Sequence, residues 1–169
     1  MPTLAVLRHA KSSWDDPSLP DAERPLAPRG RRAARLLAEH LRHQGFRPAL
    51  VLCSSAVRAR ETAAALEPVL AGADVRVEDA LYRADARDLL ARLRRVPHGV
   101  PSVLLVGHNP ALQELVTGLA RPGALRREAA RKLPTGALAV LALDGSWSTL
   151  APGGAELVSL VLPRRLAAQ

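Results

Sequence analysis

Two histidines stand where apolar runs end. Leu4-Ala5-Val6-Leu7 is followed directly by Arg8-His9, and Val103-Leu104-Leu105-Val106-Gly107 by His108-Asn109-Pro110. Apolar runs of this length read as buried strands. Polar residues just beyond them lie at the carboxyl edge of a sheet, where open α/β folds place their ligands. A third run, Ala49-Leu50-Val51-Leu52-Cys53, passes through Ser54-Ser55 into a helix with Arg58 in its first turn. Arg8, His9, Arg58 and His108 therefore form one candidate constellation of two guanidinium groups and two imidazoles. Guanidinium offers paired donors that match a tetrahedral oxyanion, and it keeps its proton. Helix amino-termini after residues 55 and 109 add backbone donors and partial positive charge. An imidazole aimed at phosphorus adds a nucleophile, which splits transfer into two steps through a covalent phosphohistidine. The surrounding cations then stabilise charge on the equatorial oxygens. His9 is the expected nucleophile, and His108 the expected phosphate donor. Lys11 and Asn109 are further candidate substrate contacts.

These residues need a scaffold that alternates strands and helices. The first strand is expected at about residues 3 to 8, followed by a polar, turn-prone loop through Arg24-Pro25-Leu26. A helix is expected from Pro28 to Gln44, with Pro28 suited to its first turn and Gly45 to its stop. Ala33, Leu37 and Leu41 form its apolar face, opposite Arg31, Arg35, Glu39 and Arg42. Pro68 should end or kink the helix that carries Arg58. A short strand at Val75-Arg76-Val77 precedes a helix over residues 86 to 95 and a strand over 102 to 107. Asn109 is expected to cap the next helix, with Pro110 at its first position. Residues 120 to 135 read as a basic loop, and two final strands are expected near 136–143 and 155–162. This pattern gives a single α/β domain spanning 1–169, a three-layer sandwich with a mostly parallel central sheet.

Composition narrows the functional classes. The 169 residues are 48% hydrophobic but only 2% aromatic, so Leu, Val and Ala must fill the core. The apolar runs are far too short to span a membrane. Met1-Pro2-Thr3 lacks a basic leader, so a cytoplasmic protein without membrane association is expected. Cys53, the sole cysteine, reads as a buried core thiol. Net charge is +8, from 24 basic and 16 acidic residues, which favours anionic substrates. Aromatics for base stacking are nearly absent and the arginines are dispersed, so specific nucleic-acid recognition is not expected. No His and carboxylate cluster has metal-ligand spacing, and His40 and His43 fall on an exposed helix end. Neither metal nor cofactor is expected.

Leu7-Arg8-His9-Ala10 resembles the Arg-His-Gly motif of the histidine phosphatase superfamily, the phosphoglycerate mutase-like fold. Ser54 through Thr62 resembles the family's segment with Ser, then Arg-Ala, then Thr, and Val106-Gly107-His108-Asn109 its second histidine motif. Arg24-Pro25-Leu26 before the first long helix, the short length and the minimal inserts are similar to the SixA-type phosphohistidine phosphatases. The resemblance covers nearly the whole chain. It implies that Arg8, Arg58 and His108 bind the phosphoryl group while His9 is transiently phosphorylated.

Ala10 stands where the motif has glycine, a change of one methyl. Many superfamily members supply a glutamate after the third strand as general acid, and Ala80 lies where a carboxylate is expected. Glu78, Asp79 and Asp85 are the nearby candidates. A sugar alkoxide leaves badly unless protonated, whereas a phosphorylated imidazole can already carry the proton. A site without a strong acid therefore leans toward phosphohistidine on a protein. The alternatives are a small phosphate ester as substrate, or a phosphate or phosphoprotein binding module without turnover. Lys11 to Trp14 and Arg121 to Lys132 are the expected rims of an open pocket.

Overall fold

Alternation along the first strand sets the layers. In the computed structural model, which describes residues 1–169, strand β1 spans Thr3–Arg8. Leu4 and Val6 pack into one apolar cluster, while Ala5 and Leu7 pack into another. Successive side chains of a strand point to opposite faces, so a strand apolar on both must lie inside a sheet covered on both sides. Strands β2 (Leu50–Ser54), β3 (Asp74–Glu78) and β4 (Ser102–Gly107) run parallel to β1, β5 (Leu138–Leu143) runs antiparallel to β1, and β6 (Ala155–Val161) pairs antiparallel with β5. The sheet order is β3-β2-β4-β1-β5-β6, the mostly parallel three-layer architecture expected.

Helices α1 (Pro28–His43), α2 (Val57–Ala65) and α3 (Glu67–Leu70) cover one face, with the terminal α7 (Pro163–Ala167) beside α1. Helices α4 (Ala86–Arg94), α5 (Ala111–Leu119) and α6 (Ala124–Arg131) cover the other. Pro68 falls in the first turn of α3, so it separates α3 from α2. In α1 the inward row is Gly30, Ala34, Leu37, Ala38 and Leu41, with Ala33 only half-buried. Gly30 has a steric reason: a Cβ there would lie 2.1 Å from the Lys11 carbonyl oxygen.

Residues 120 to 135 are not a loop throughout. Helix α6 occupies Ala124–Arg131 and buries Ala129, with Leu125 packed against the core. Pro122, Gly123 and Pro134 bound a segment of Ala, Leu, Arg and Glu, all strong helix formers. The Gln113 amide donates to the carbonyls of Ala129 and Ala130 at the helix end. The basic residues fill the helix's outer face, which masks the short apolar period.

Candidate active site

Register alone brings the two histidines together. β1 and β4 are adjacent and parallel, with Arg8 opposite Gly107. His9 and His108 therefore leave the same edge side by side, and the His9 amide donates to the Gly107 carbonyl at 3.1 Å. Their ring centroids are 5.1 Å apart. β2 lies on the other flank of β4 and ends at Ser54. The turn after it delivers Arg58, which is 6% exposed.

Each ring has one nitrogen fixed and one free. His9 Nδ1 lies 2.7 Å from the Ala10 carbonyl oxygen. A carbonyl only accepts, so Nδ1 carries the hydrogen and Nε2 keeps the lone pair. His108 Nε2 lies 2.7 Å from Ser54 Oγ, and that oxygen accepts from the Ala56 amide. Nε2 is the one acceptor within reach of the Ser54 hydroxyl hydrogen, so Ser54 donates to it and the His108 proton lies on Nδ1. His108 Nδ1 is buried and has no partner. Burial first, then the neighbouring guanidiniums, hold His9 down to about 4, against the bond to Ala10. Burial, His9 and Arg58 likewise take His108 down to about 3. Both rings are neutral at pH 7, one as a lone-pair donor and the other as a hydrogen-bond donor.

The arginines are held by their outer edges. Arg8 Nη1 donates to the Leu133 carbonyl at 3.0 Å, and Arg58 Nη1 and Nη2 donate to the Asp21 carbonyl and carboxylate at 2.7 and 2.9 Å. The Nε atoms of both are buried without a partner. Buried donors left unpaired cost about 1–3 kcal/mol each. Two guanidinium N–H groups and one imidazole N–H are thus buried and unpaired beside the His9–His108 ring pair, a donor set whose chemistry suits an oxyanion.

Supporting residues invisible in the local sequence complete the frame. Thr62, 1% exposed, accepts from the Ala10 amide at 3.0 Å and donates to the Arg58 carbonyl at 2.7 Å, tying the His9 loop to α2. The Ala10 methyl packs with Leu26 and Ala34, so the alanine has a use at this position. The Gly136 amide, at φ +78°, donates to both the Arg8 and His9 carbonyls. Arg24 donates to Ser12 Oγ, Ser13 O and Asp21 Oδ1 and stacks 3.5 Å from the Trp14 ring centroid. Glu61 accepts from the Leu26 amide at 2.7 Å. These bonds fold the loop between β1 and α1 over the site and deliver Asp21 to Arg58. Tyr82 donates to the Asp21 carboxylate, and its ring meets His108 edge-on at 5.5 Å. No motif marks Asp21 or Tyr82, since both act across long sequence separations. The spacing of Asp21 before Arg24 in the Arg-Pro-Leu segment was the available signal.

Other expected site residues lie elsewhere or are occupied. Asn109 donates to the Leu133 carbonyl and accepts from the Gln113 amide, so its side chain joins α5 to the segment after α6. Helix α5 begins at Ala111, one residue later than expected, with Pro110 as its cap residue. Lys11 is exposed, and its backbone carbonyl accepts from Ala27. Glu78 forms a bidentate pair with Arg92 at 2.7 and 2.9 Å, and that hydrogen bond holds its carboxyl below the ordinary range. Asp85 and Asp88 form a capping box on α4. Asp79 is exposed and, with Glu78, lines a separate cavity of about 850 Å³ beside Arg76, Arg92 and His98. No hydrogen bond or ion pair joins Glu78, Asp79 or Asp85 to the two histidines or to Arg8 and Arg58. Trp14 is exposed at the rim under Arg24. Cys53 is buried, which pushes its thiol up to about 12. No three His, Cys, Asp or Glu side chains converge as a metal site, and no helix is long and apolar enough to cross a membrane.

Comparison with known proteins agrees with this geometry. Residues 4–88 match the family model of the histidine phosphatase superfamily (branch 1). An uncharacterized protein of Mycobacterium tuberculosis is 38% identical over 94% of this chain and 100% of its own length. A solved structure from Nakamurella multipartita, assigned as the phosphohistidine phosphatase SixA, superposes with a TM-score of 0.83 at 34% identity, covering 96% of both chains. The protein histidine phosphatase SixA complexed with tungstate superposes with a TM-score of 0.76 at 26% identity, covering 97% of this chain and 99% of that one. The chain belongs to branch 1 of the histidine phosphatase superfamily, and it is a phosphatase of the SixA type.

Proposed function

We infer that this chain removes phosphate from phosphohistidine on a protein, through a covalent intermediate on His9 and without a metal. The observation that carries the reading is the set of unpaired buried donors around a neutral histidine: Arg8 Nε, Arg58 Nε and His108 Nδ1 beside His9. Tungstate, the tetrahedral oxyanion in the SixA complex, matches the ligand such a donor set would take.

His9 Nε2 attacks phosphorus while its Nδ1–H bond to Ala10 holds the ring. A bond forms between Nε2 and phosphorus as the bond to the leaving atom breaks, its electron pair going to the leaving group. Charge shifting onto the equatorial oxygens meets the two guanidiniums and His108 Nδ1, which are already oriented and desolvated. Water then attacks the phosphoryl group on His9, releases orthophosphate and returns the imidazole. The ring stays free to attack at neutral pH because burial disfavours its protonation.

Leaving-group chemistry supports the phosphoramidate. Asp21 is the carboxylate beside Arg58, and its bonds to Tyr82, Arg58 and Arg24 push its carboxyl far below the usual range. An ionised carboxylate donates no proton to an alkoxide. An imidazole leaving group needs none, since its second nitrogen is already protonated.

The test is a substrate panel. The expected result is kcat/KM at least a hundredfold higher for a phosphohistidine protein than for alkyl phosphates such as glycerol phosphate. Comparable turnover of the two classes would favour a small-molecule phosphomonoesterase, and no turnover of either would leave a binding module.

A further inference from the structure

We propose that Asp21 selects the substrate, by accepting a hydrogen bond from the protonated nitrogen of a cationic N-phosphoryl leaving group. This inference rests on the phosphohistidine reading and adds the residue that enforces it.

Asp21 sits in a single 3-10 turn between β1 and α1, held locally by Arg24 and across the fold by Arg58 and Tyr82. Oδ2 receives Arg58 Nη2 and the Tyr82 hydroxyl, and Oδ1 receives Arg24 Nε. A carboxylate has about four acceptor positions on its two oxygens, and these donors fill three. The side chain is 49% exposed, so the remaining position is open to an incoming donor. The guanidinium that Asp21 grips through Nη1 and Nη2 is one of the two whose Nε is buried without a partner. Tyr82, bonded to Asp21, also lies against His108. Asp21 therefore stands at the solvent-exposed edge of the donor set, bonded to Arg58 and, through Tyr82, adjoining His108.

An anion at the edge of an anion site is costly unless it contributes something. It repels the phosphoryl group and the anionic oxygen of an alkoxide leaving group, and it attracts a leaving group with an N–H or positive charge. In a phosphorylated imidazole, one ring nitrogen bears phosphorus and the other bears a proton. Asp21 accepting from that second nitrogen favours the protonated ring. When His9 Nε2 bonds to phosphorus, the P–N electron pair returns to the first nitrogen. The ring departs as neutral imidazole with its N–H still directed at Asp21. The Tyr82 hydroxyl and Arg24 hold the carboxylate in place, and none of the three needs to gain or lose a proton.

The experiment compares Asp21→Asn with the parent chain on two substrates, free phosphohistidine and p-nitrophenyl phosphate. Neither leaving group needs an acid, so the ratio of their kcat/KM values isolates recognition of the cationic nitrogen. Both rates are expected to fall, because Arg58 loses a charged partner. The phosphohistidine rate should fall at least tenfold further than the aryl ester rate. Asp21→Glu, which restores the charge, should recover a preference for phosphohistidine. Equal losses on both substrates in Asp21→Asn would mean that Asp21 only holds Arg58, and would overturn the proposal. A parent chain that hydrolyses p-nitrophenyl phosphate but not phosphohistidine would instead refute the phosphohistidine reading, and this inference with it.

Discussion

Replacing Ser54 with alanine removes one oxygen atom and separates the two duties of the site. Ser54 is fully buried, accepts from the Ala56 amide at 3.2 Å and lies 2.7 Å from His108 Nε2. Ala56 is also fully buried, so its N–H is left unpaired in the variant. An orphaned buried donor and a lost net hydrogen bond together cost about 2 kcal/mol of stability, a clear shift in a urea midpoint that leaves the fold intact. The catalytic effect is indirect. With Ser54 present, its hydroxyl donates to Nε2 and keeps the His108 proton on Nδ1, facing the phosphoryl oxygens. Without it, the two neutral tautomers become close in energy. Losing a bias of about 1.4 kcal/mol shifts their ratio about tenfold. A ratio that falls from about ten to about one takes the Nδ1–H form from about nine-tenths to about one half, so Ser54→Ala is expected to lower kcat for p-nitrophenyl phosphate only about twofold at 25 °C. In parallel, the nitrogen-15 NMR shifts of His108 should move from the Nδ1–H form toward a mixture. A folded Ser54→Ala protein whose His108 nitrogen-15 shifts stay those of the pure Nδ1–H form would refute the assignment of Ser54 as the group that locks the tautomer.

Arg58→Lys should lower kcat/KM by about 10²–10³-fold, since a single ammonium nitrogen cannot reach both Asp21 oxygens that Nη1 and Nη2 span and also place a donor where Nε sits; steady-state kinetics would show it, and a loss under threefold would contradict the fork geometry. Burial and the neighbouring guanidiniums hold His9 down to about 4, so the acid limb of kcat/KM, which reports the free enzyme, is expected near pH 4, and a limb near 6.5 would mean an ordinary exposed imidazole. The same depression links pH to stability: the unfolded chain takes up protons near pH 6.5 that folded His9 and His108 refuse. Their contribution is intact above pH 6.5 and lost as pH falls toward 4, so the urea midpoint should drop between pH 7 and pH 5. Gly30→Ala would set a Cβ 2.1 Å from the Lys11 carbonyl oxygen and is expected to cost about 1–3 kcal/mol, read as a lower melting temperature; an unchanged melting temperature would show that the loop yields freely.

The residues that act through their own strand were legible in the sequence. Arg8, His9 and His108 follow uninterrupted apolar runs, and strand ends are positions that a one-dimensional pattern reveals. Arg58 was legible because Ser54-Ser55 marks a strand-to-helix turn just before it. Helix α6 was not, because its apolar side is only Leu125 and Ala129 and its arginines dominate any reading of charge. The family pattern points to a carboxylate after the third strand, where Glu78 and Asp85 instead serve Arg92 and the α4 cap. Asp21 supplies it from a loop 37 positions before Arg58. That placement depends on Arg24, Trp14 and Glu61 closing the loop, contacts that have no periodicity to read. Thr62 and Ser54 lie within the motif segment, but their hydrogen bonds to Ala10 and His108 are products of tertiary packing.

Rapid quench into alkali after mixing with phosphorus-32-labelled substrate, followed by peptide mapping, tests the proposed chemistry most directly. The account predicts an acid-labile, alkali-stable label on His9 that appears before steady state and is absent, together with turnover, in His9→Ala. A label on any other residue, or full turnover by His9→Ala, would contradict it.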